Sequence, residues 1–419
     1  MMKQFIIYLI ALMMTSPFTV GTSYAAQPET AHKVRLLWNP IPDAVMYEVT
    51  LTSRPGGRLH KEPAKTVLVK SDIYTPGTEL DLNLSTGKPG SLWWQVRALN
   101  FDRQPISGYT EPRRVSAGEF DPAAPFVTTY GAKELPAKLY QVYSWIPVLH
   151  AGSYEIEISA ASPAGTKSRE VVRTKVIDGA TAFDWYDETP YTTEGTYWWR
   201  VRARDGKGGL LTDWSQSVPV VVKGSGFKVA ALGDSVTHGG GAVSNPPSNP
   251  AYDWTTYAGF PIKNLGHSGD TTGKMAARFE SEVLPFKPRL LVVMGGVNDL
   301  RGGARAAEVI GNLTTIREKC RQAGIIPVFA TVTPVNPAAI KQVFNQDTAA
   351  DWQAEWQQVN EWVKCQPYYV DVAAPLMDAQ GLLAREMATD GLHPDTKGKA
   401  LIGKAIGAYL NQNFSKMIK

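Results

Sequence analysis

The sequence predicts a multidomain chain: two all-β sandwiches, then a three-layer α/β/α domain built on a parallel sheet of about five strands. Three observations carry this. At 419 residues the chain is long enough for two or three domains. Residues 33–222 contain an internal repeat. From residue 227 the rhythm changes, and near-continuous apolar runs alternate with amphipathic segments.

The first element is a leader. Lys3, the apolar run "FIIYLIALMM" at 5–14 and the small residues of "TSYAA" at 22–26 predict a signal peptide over 1–26. The apolar run is too short for a membrane span of ~20 residues, and no later segment reads as one. The mature chain is expected to begin near Ala26 or Gln27 and to work in the periplasm or outside the cell. A net charge of +4 with no Lys/Arg block argues against nucleic acid as a partner. Two cysteines and six scattered histidines make neither a disulfide scaffold nor a metal cluster.

The repeat comes next. Trp38, Pro40, Tyr47 and Glu48 recur at Trp145, Pro147, Tyr154 and Glu155, a shift of 107. "GSLWWQVRA" at 90–98 recurs as "GTYWWRVRA" at 195–203, a shift of 105. Two matches at nearly one offset mean duplicated domains. Short β-branched runs such as "YEVTLTS" and "YEIEISA", separated by turns such as "RPGG", "GKPG" and "DGKGG", predict a β-sandwich for each copy. The Trp-x-Pro, Tyr-x-Val/Ile and Trp-Trp-x-Val-Arg-Ala pattern resembles the fibronectin type III family in both copies. Neighbouring side chains on a strand face opposite ways. One ring of Trp93/Trp94 and one of Trp198/Trp199 must therefore face outward, to meet an Arg, a neighbouring domain or a glycan or protein partner.

From 227 onward "FKVAALG", "IKNLGH", "RLLVVMGG", "IIPVFATVTP" and "YYVDVAAP" read as parallel strands, with helices near 304–322, 349–364 and 396–413. "EFDPAAPF" at 119–126 and "VKGSG" at 222–226 read as linkers. The expected domains are 27–120, 121–222 and 223–419.

Four clusters fall at strand ends, where open parallel sheets place their reactive groups. Gly233, Asp234 and Ser235 follow the first run, and Gly266 to Asp270 follow the second. Gly296 to Asp299 follow the third, and "TDGLHP" supplies Asp390 and His393 before the last helix. A serine hydroxyl needs a base to take its proton. His393 is the candidate base, and Asp390, three residues earlier, is the candidate acid that orients it. Gly-Asp-Ser by itself is also good turn chemistry. The four clusters in this order carry the reading, and no Gly-x-Ser-x-Gly elbow offers a rival.

The set resembles the SGNH (GDSL-type) hydrolase family, named for Ser, Gly, Asn and His in four blocks. Here they are Ser235 in "GDS", Gly269 in "SGDTT", Asn298 in "GVND" and His393 in "DGLH", with Val236 where the first block usually has Leu. The resemblance spans the whole last domain. It implies hydrolysis of acyl esters through an acyl-enzyme, with no metal or other cofactor. It also implies an oxyanion hole made of the Ser235 and Gly269 N–H groups and the Asn298 amide. Glycine at 269 would let backbone approach the substrate. Asp234 reads as a turn-former, Asp299 as a brace for the Asn298 loop, and Asp270 as a cap for the next helix. His267 is a candidate substrate contact.

The expected activity is that of an exported serine esterase acting on an acylated carbohydrate or another ester. Removal of acetyl groups comes first, and lysophospholipase, thioesterase or arylesterase activity is the alternative. Export, the accessory sandwiches and a polar Gly/Ser/Asn/Pro loop at 239–250 point to carbohydrate. In a rival class, the sandwiches bind glycan or protein and the last domain is inert. Two further expectations concern architecture. Residues 227–419 should form a self-contained domain. Cys320 and Cys365, ending helices on one face of the sheet, should be close enough for a disulfide in an oxidising compartment.

Overall fold

The computed structural model describes residues 33–53, 65–82, 91–116, 119, 122–131, 138–161, 169–224 and 226–418. The leader and the turns "RPGG" and "GKPG" lie outside these residues.

Each copy of the repeat folds as two sheets around one core. The first copy contains β1 (Lys33–Leu37), β2 (Met46–Thr52), β3 (Thr66–Ile73), β4 (Gly77–Asp81), β5 (Trp93–Leu99) and β6 (Arg113–Arg114). β1 pairs with β4, and the other four run antiparallel in the order β3-β2-β5-β6. Val34, Leu36 and Leu80 of the small sheet meet Tyr47, Val49, Trp94 and Val96 of the large one. The second copy contains β7 (Val142–Ser144), β8 (Ser153–Ala161), β9 (Arg169–Asp178), β10 (Asp184–Tyr186), β11 (Gly195–Arg204) and β12 (Val218–Val222). Its sheets are β10-β7 and β12-β11-β8-β9.

The duplication extends to single hydrogen bonds. Tyr47 Oη accepts the Ile41 N–H at 3.1 Å, and Tyr154 Oη accepts the Val148 N–H at 2.8 Å. Ser107 Oγ accepts the Ala98 N–H, and Thr212 Oγ1 accepts the Ala203 N–H, both at 2.9 Å. Asp43 and His150, at matching positions, both turn left-handed, with φ of 60° and 66°. Of each Trp pair, Trp94 and Trp199 are buried, while Trp93 and Trp198 are half-buried. The outward Trp198 ring lies 4.0 Å from the Arg169 guanidinium, so an Arg covers it.

The last domain holds five strands: β13 (Val229–Gly233), β14 (Ile262–Gly266), β15 (Leu290–Met294), β16 (Ile326–Ala330) and β17 (Tyr369–Val370). They are all parallel, in the order β14-β13-β15-β16-β17. Every residue of β13, β14 and β15 is buried. Since successive side chains face opposite ways, both faces of the sheet are covered, and the domain has three layers. The helices are α1 (Ser235–His238), α2 (Thr272–Ala277), α3 (Phe279–Glu282), α4 (Val297–Arg301), α5 (Ala306–Gln322), α6 (Pro337–Phe344), α7 (Trp352–Lys364) and α8 (Thr396–Ile418). Strand order reverses beside β13, so the carboxyl end of β13 lies at the switch point where such sheets bind ligands. No helix among the described residues is long and apolar enough to cross a membrane.

One expectation needs correction, and residues before 227 prove to pack on the last domain. Leu139 and Tyr140 belong to its core, and the Leu139 N–H donates to the Asn264 carbonyl at 3.0 Å, on edge strand β14. An edge strand offers unpaired backbone groups, and this segment pairs with one of them. The Cys320–Cys365 disulfide is absent, and both cysteines are free thiols. α5 and α7 do pack side by side, but Cys320 faces the core while Cys365, capping α7, faces solvent.

Candidate active site

The site is built on the turn after β13. A Cβ at Gly233 would collide with Thr237 Oγ1 and the Met294 carbonyl, so only glycine lets the chain turn there. Asp234 caps α1, its Oδ1 accepting the Val236 N–H at 2.9 Å. Burial raises the Asp234 carboxyl to about 7. This matches its reading as a turn-former.

The turn presents Ser235 to His393. Ser235 Oγ lies 3.0 Å from His393 Nε2, and His393 Nδ1 lies 2.8 Å from Asp390 Oδ2. With the proton on Nδ1 donated to Asp390, Nε2 is free to accept from the serine hydroxyl. The other Asp390 oxygen accepts the N–H groups of Leu392 at 2.8 Å and His393 at 2.7 Å. Burial opposes ionisation of Asp390, but the His393 ring and these hydrogen bonds outweigh it and hold the carboxyl below its usual range. The three residues separated in sequence by up to 158 positions thus form one hydrogen-bonded chain.

Two of the expected oxyanion donors, Gly269 and Asn298, follow β14 and β15, the strands that flank β13. Among the described residues, neither the Ser235 N–H nor the Gly269 N–H has an acceptor. Gly269 takes φ of +81°, and a Cβ there would meet nothing within 4 Å. Glycine is needed for its left-handed backbone, not for lack of room. Asn298 Nδ2 donates one hydrogen to the Asp270 carbonyl at 2.9 Å, leaving its second hydrogen. Arg301 Nε donates to Asn298 Oδ1 at 3.2 Å and so fixes which way the amide points. Asp299 braces the same loop by accepting the Thr272 N–H and hydroxyl, the latter at 2.7 Å.

His267 has both ring nitrogens engaged, with Asp270 Oδ1 at 2.8 Å and with Glu188 Oε2, from the second sandwich, at 3.0 Å. Burial disfavours its charge, but these two carboxylates prevail and raise it to about 9. Asp270 also takes Arg278 Nε at 2.6 Å, and Thr271 caps α2 in place of Asp270. The polar loop at 239–250 is mostly buried, with Ser244 Oγ and Asn245 Nδ2 donating to the Ala44 carbonyl of the first sandwich at 2.5 and 2.9 Å. Hollows of about 300 and 590 Å³ around Phe227 are lined by none of the triad residues.

Sequence reasoning missed Arg278, Arg301 and Lys138. Arg278 ties the carbonyls of Gly233 and Leu265 together at 3.1 and 2.8 Å, just before Ser235 and His267. Each is an ordinary basic residue in the sequence, and only burial and long-range contact single it out.

Residues 231–401 match the family model described as the GDSL-like Lipase/Acylhydrolase family. A lipase/acylhydrolase from Enterococcus faecalis is 21% identical over 46% of this chain and 98% of its own, with a TM-score of 0.37. A GDSL-like lipase from Bacteroides thetaiotaomicron is 20% identical over 45% of this chain and 87% of its own, with a TM-score of 0.35. A variant of an acetyl xylan esterase from Geobacillus stearothermophilus is 20% identical over 45% of this chain and 95% of its own, with a TM-score of 0.34. No curated protein matches the chain. The order of the four blocks, the parallel sheet beneath them and the match at 231–401 agree: this stretch is a GDSL/SGNH lipase–acylhydrolase domain, and the chain is an ester hydrolase of that type.

Proposed function

We propose that this chain is an exported serine esterase that removes small acyl groups, acetyl first, from a carbohydrate. The observation that carries the reading is the Ser235–His393–Asp390 chain of hydrogen bonds at 3.0 and 2.8 Å. In this reading Ser235 Oγ attacks the ester carbonyl carbon while its proton passes to His393 Nε2. The oxygen that gains negative charge is held by the N–H groups of Ser235 and Gly269 and the second hydrogen of Asn298 Nδ2. The tetrahedral adduct collapses, and the departing alcohol takes the proton from His393. Water then gives a proton to His393 and attacks the acyl-Ser235 carbonyl, and as the second adduct collapses Ser235 Oγ takes that proton back from His393 and the acid leaves. Asp390 keeps the imidazole in the required tautomer and balances its charge.

Export rests on the leader at 1–26, and the choice of carbohydrate rests on export together with two accessory sandwiches, which we take as fibronectin type III-like domains. A panel of p-nitrophenyl esters of increasing chain length, run beside O-acetylated polysaccharides, tests the substrate. Highest kcat/KM on acetyl, with acetate released from a polysaccharide, supports the proposal. Preference for long acyl chains would turn it toward lipid substrates, and no turnover of any ester would leave the sandwiches as the functional part.

A further inference from the structure

α1 is a single helical turn, and Ser235 is its first residue. Such a short turn cannot satisfy its own last carbonyls. Here each one meets a buried donor. The Val236 carbonyl accepts from Lys399 Nζ at 2.7 Å, the Thr237 carbonyl from Asn264 Nδ2 at 2.6 Å, and the His238 carbonyl from Lys138 Nζ at 2.5 Å. Lys399 and Asn264 come from the acylhydrolase domain, but Lys138 lies far outside residues 231–401. Its ammonium is buried and pairs with the equally buried Asp253 Oδ2 at 2.5 Å. Asp253 in turn accepts from Asn264 Nδ2 at 3.1 Å and from the Thr255 hydroxyl at 2.7 Å. The neighbours of Lys138 dock beside it. The Leu139 N–H donates to the Asn264 carbonyl at 3.0 Å, and the Tyr140 carbonyl lies 2.7 Å from His238 Nε2.

We propose that Lys138 is a positioning residue for the nucleophile, so that the segment entering the second sandwich completes the active site. This role rests on the assignment of Ser235 above and follows from how α1 is held. Asp234 holds α1 at its first turn, and the two lysines with Asn264 hold it at its end. Lys138 is the one donor of the three supplied from outside the domain. Without it, the end of α1 next to Gly239 loses its anchor, and Ser235 loses its fixed distance to His393.

The test compares full-length wild type, Lys138→Met, the double variant Lys138→Met/Asp253→Asn, and Ser144→Ala as a control. The double variant removes both buried charges, so it does not strand the Asp253 carboxylate that the single variant leaves unpaired. Ser144→Ala removes a 2.7 Å interdomain hydrogen bond to Ser248. With p-nitrophenyl acetate, kcat of the folded Lys138 variants should fall about ten- to a hundred-fold with KM within about twofold, the pattern of a misplaced reacting group. The rate at which a small phosphonate labels Ser235 should fall in parallel, and Ser144→Ala should keep wild-type kcat. A folded Lys138 variant with wild-type kcat overturns the proposal. If neither Lys138 variant folds, hydrogen exchange of wild type decides. The amides of 138–140 and 236–239 should open as one unit, and faster exchange of 236–239 overturns it. An inactive wild type would instead overturn the esterase reading.

Discussion

Asn298 is held from two sides, by the Asp270 carbonyl at 2.9 Å and by Arg301 at 3.2 Å. Asn298→Ala should lower kcat by roughly a hundred- to a thousand-fold, the usual effect of losing one oxyanion donor. An unchanged kcat would remove it from that role. Asp390→Asn should hurt less than His393→Ala, because the acid orients while the base transfers the proton. Full activity in Asp390→Asn would exclude Asp390. His267 sets a pH signature. Its pKa, raised to about 9, lies above the unfolded value of about 6.5. The stability it adds is complete below pH ~6.5 and is lost as pH rises through about 9. The difference in Tm between wild type and His267→Gln should therefore shrink over that window, and a constant difference would contradict the assignment. Ser235, His393 and Asp390, which the structure joins by hydrogen bonds, could be singled out in the sequence by residue type at strand ends, and Gly269 and Asn298 only by resemblance. The engagement of His267 by Glu188 could not, since side-chain partners 79 positions apart leave no local pattern.

The five strands and the three long helices read from periodicity appear as β13 to β17, α5, α7 and α8. α1, α3, α4 and α6, each eight residues or fewer, were not read as helices, because short turns carry too few residues for a period, and α2 was expected only as the helix that follows Asp270. The cysteines show the same limit. Adjacent helices were foreseeable, but the direction of each side chain was not. Thiol titration of the unfolded, unreduced protein should find both thiols free. In the native state only Cys365 should react quickly, because burial pushes the Cys320 thiol up to about 12. No free thiol in the unfolded chain would restore the disulfide. α8 begins three residues after His393, and Asp43 of the first sandwich caps it. Asp43 Oδ1 accepts the Thr396 N–H at 3.2 Å and the Thr396 hydroxyl at 3.0 Å. Asp43→Ala should cost about 1–2 kcal/mol in denaturant unfolding, and no loss would show the cap to be idle.

At the scale of the molecule, the repeat announced the sandwiches, but nothing in it announced how they meet the hydrolase. Both sandwiches reach it. Asp43 caps α8, Glu188 meets His267, Lys138 pairs with Asp253, and Leu139 and Tyr140 enter the hydrolase core. Residues 227–419 expressed alone would expose β14 and strand the buried Asp253 without its lysine. That fragment should be less stable than the full chain and much less active, and a fragment of wild-type Tm and kcat would contradict this. The most direct test of the central claim is acid quench of the full-length enzyme during turnover of p-nitrophenyl acetate, followed by mass spectrometry of its peptides. One acetyl group on Ser235, absent in Ser235→Ala together with all turnover, is the predicted result. An acetyl group on another residue, or turnover that survives in Ser235→Ala, would contradict it.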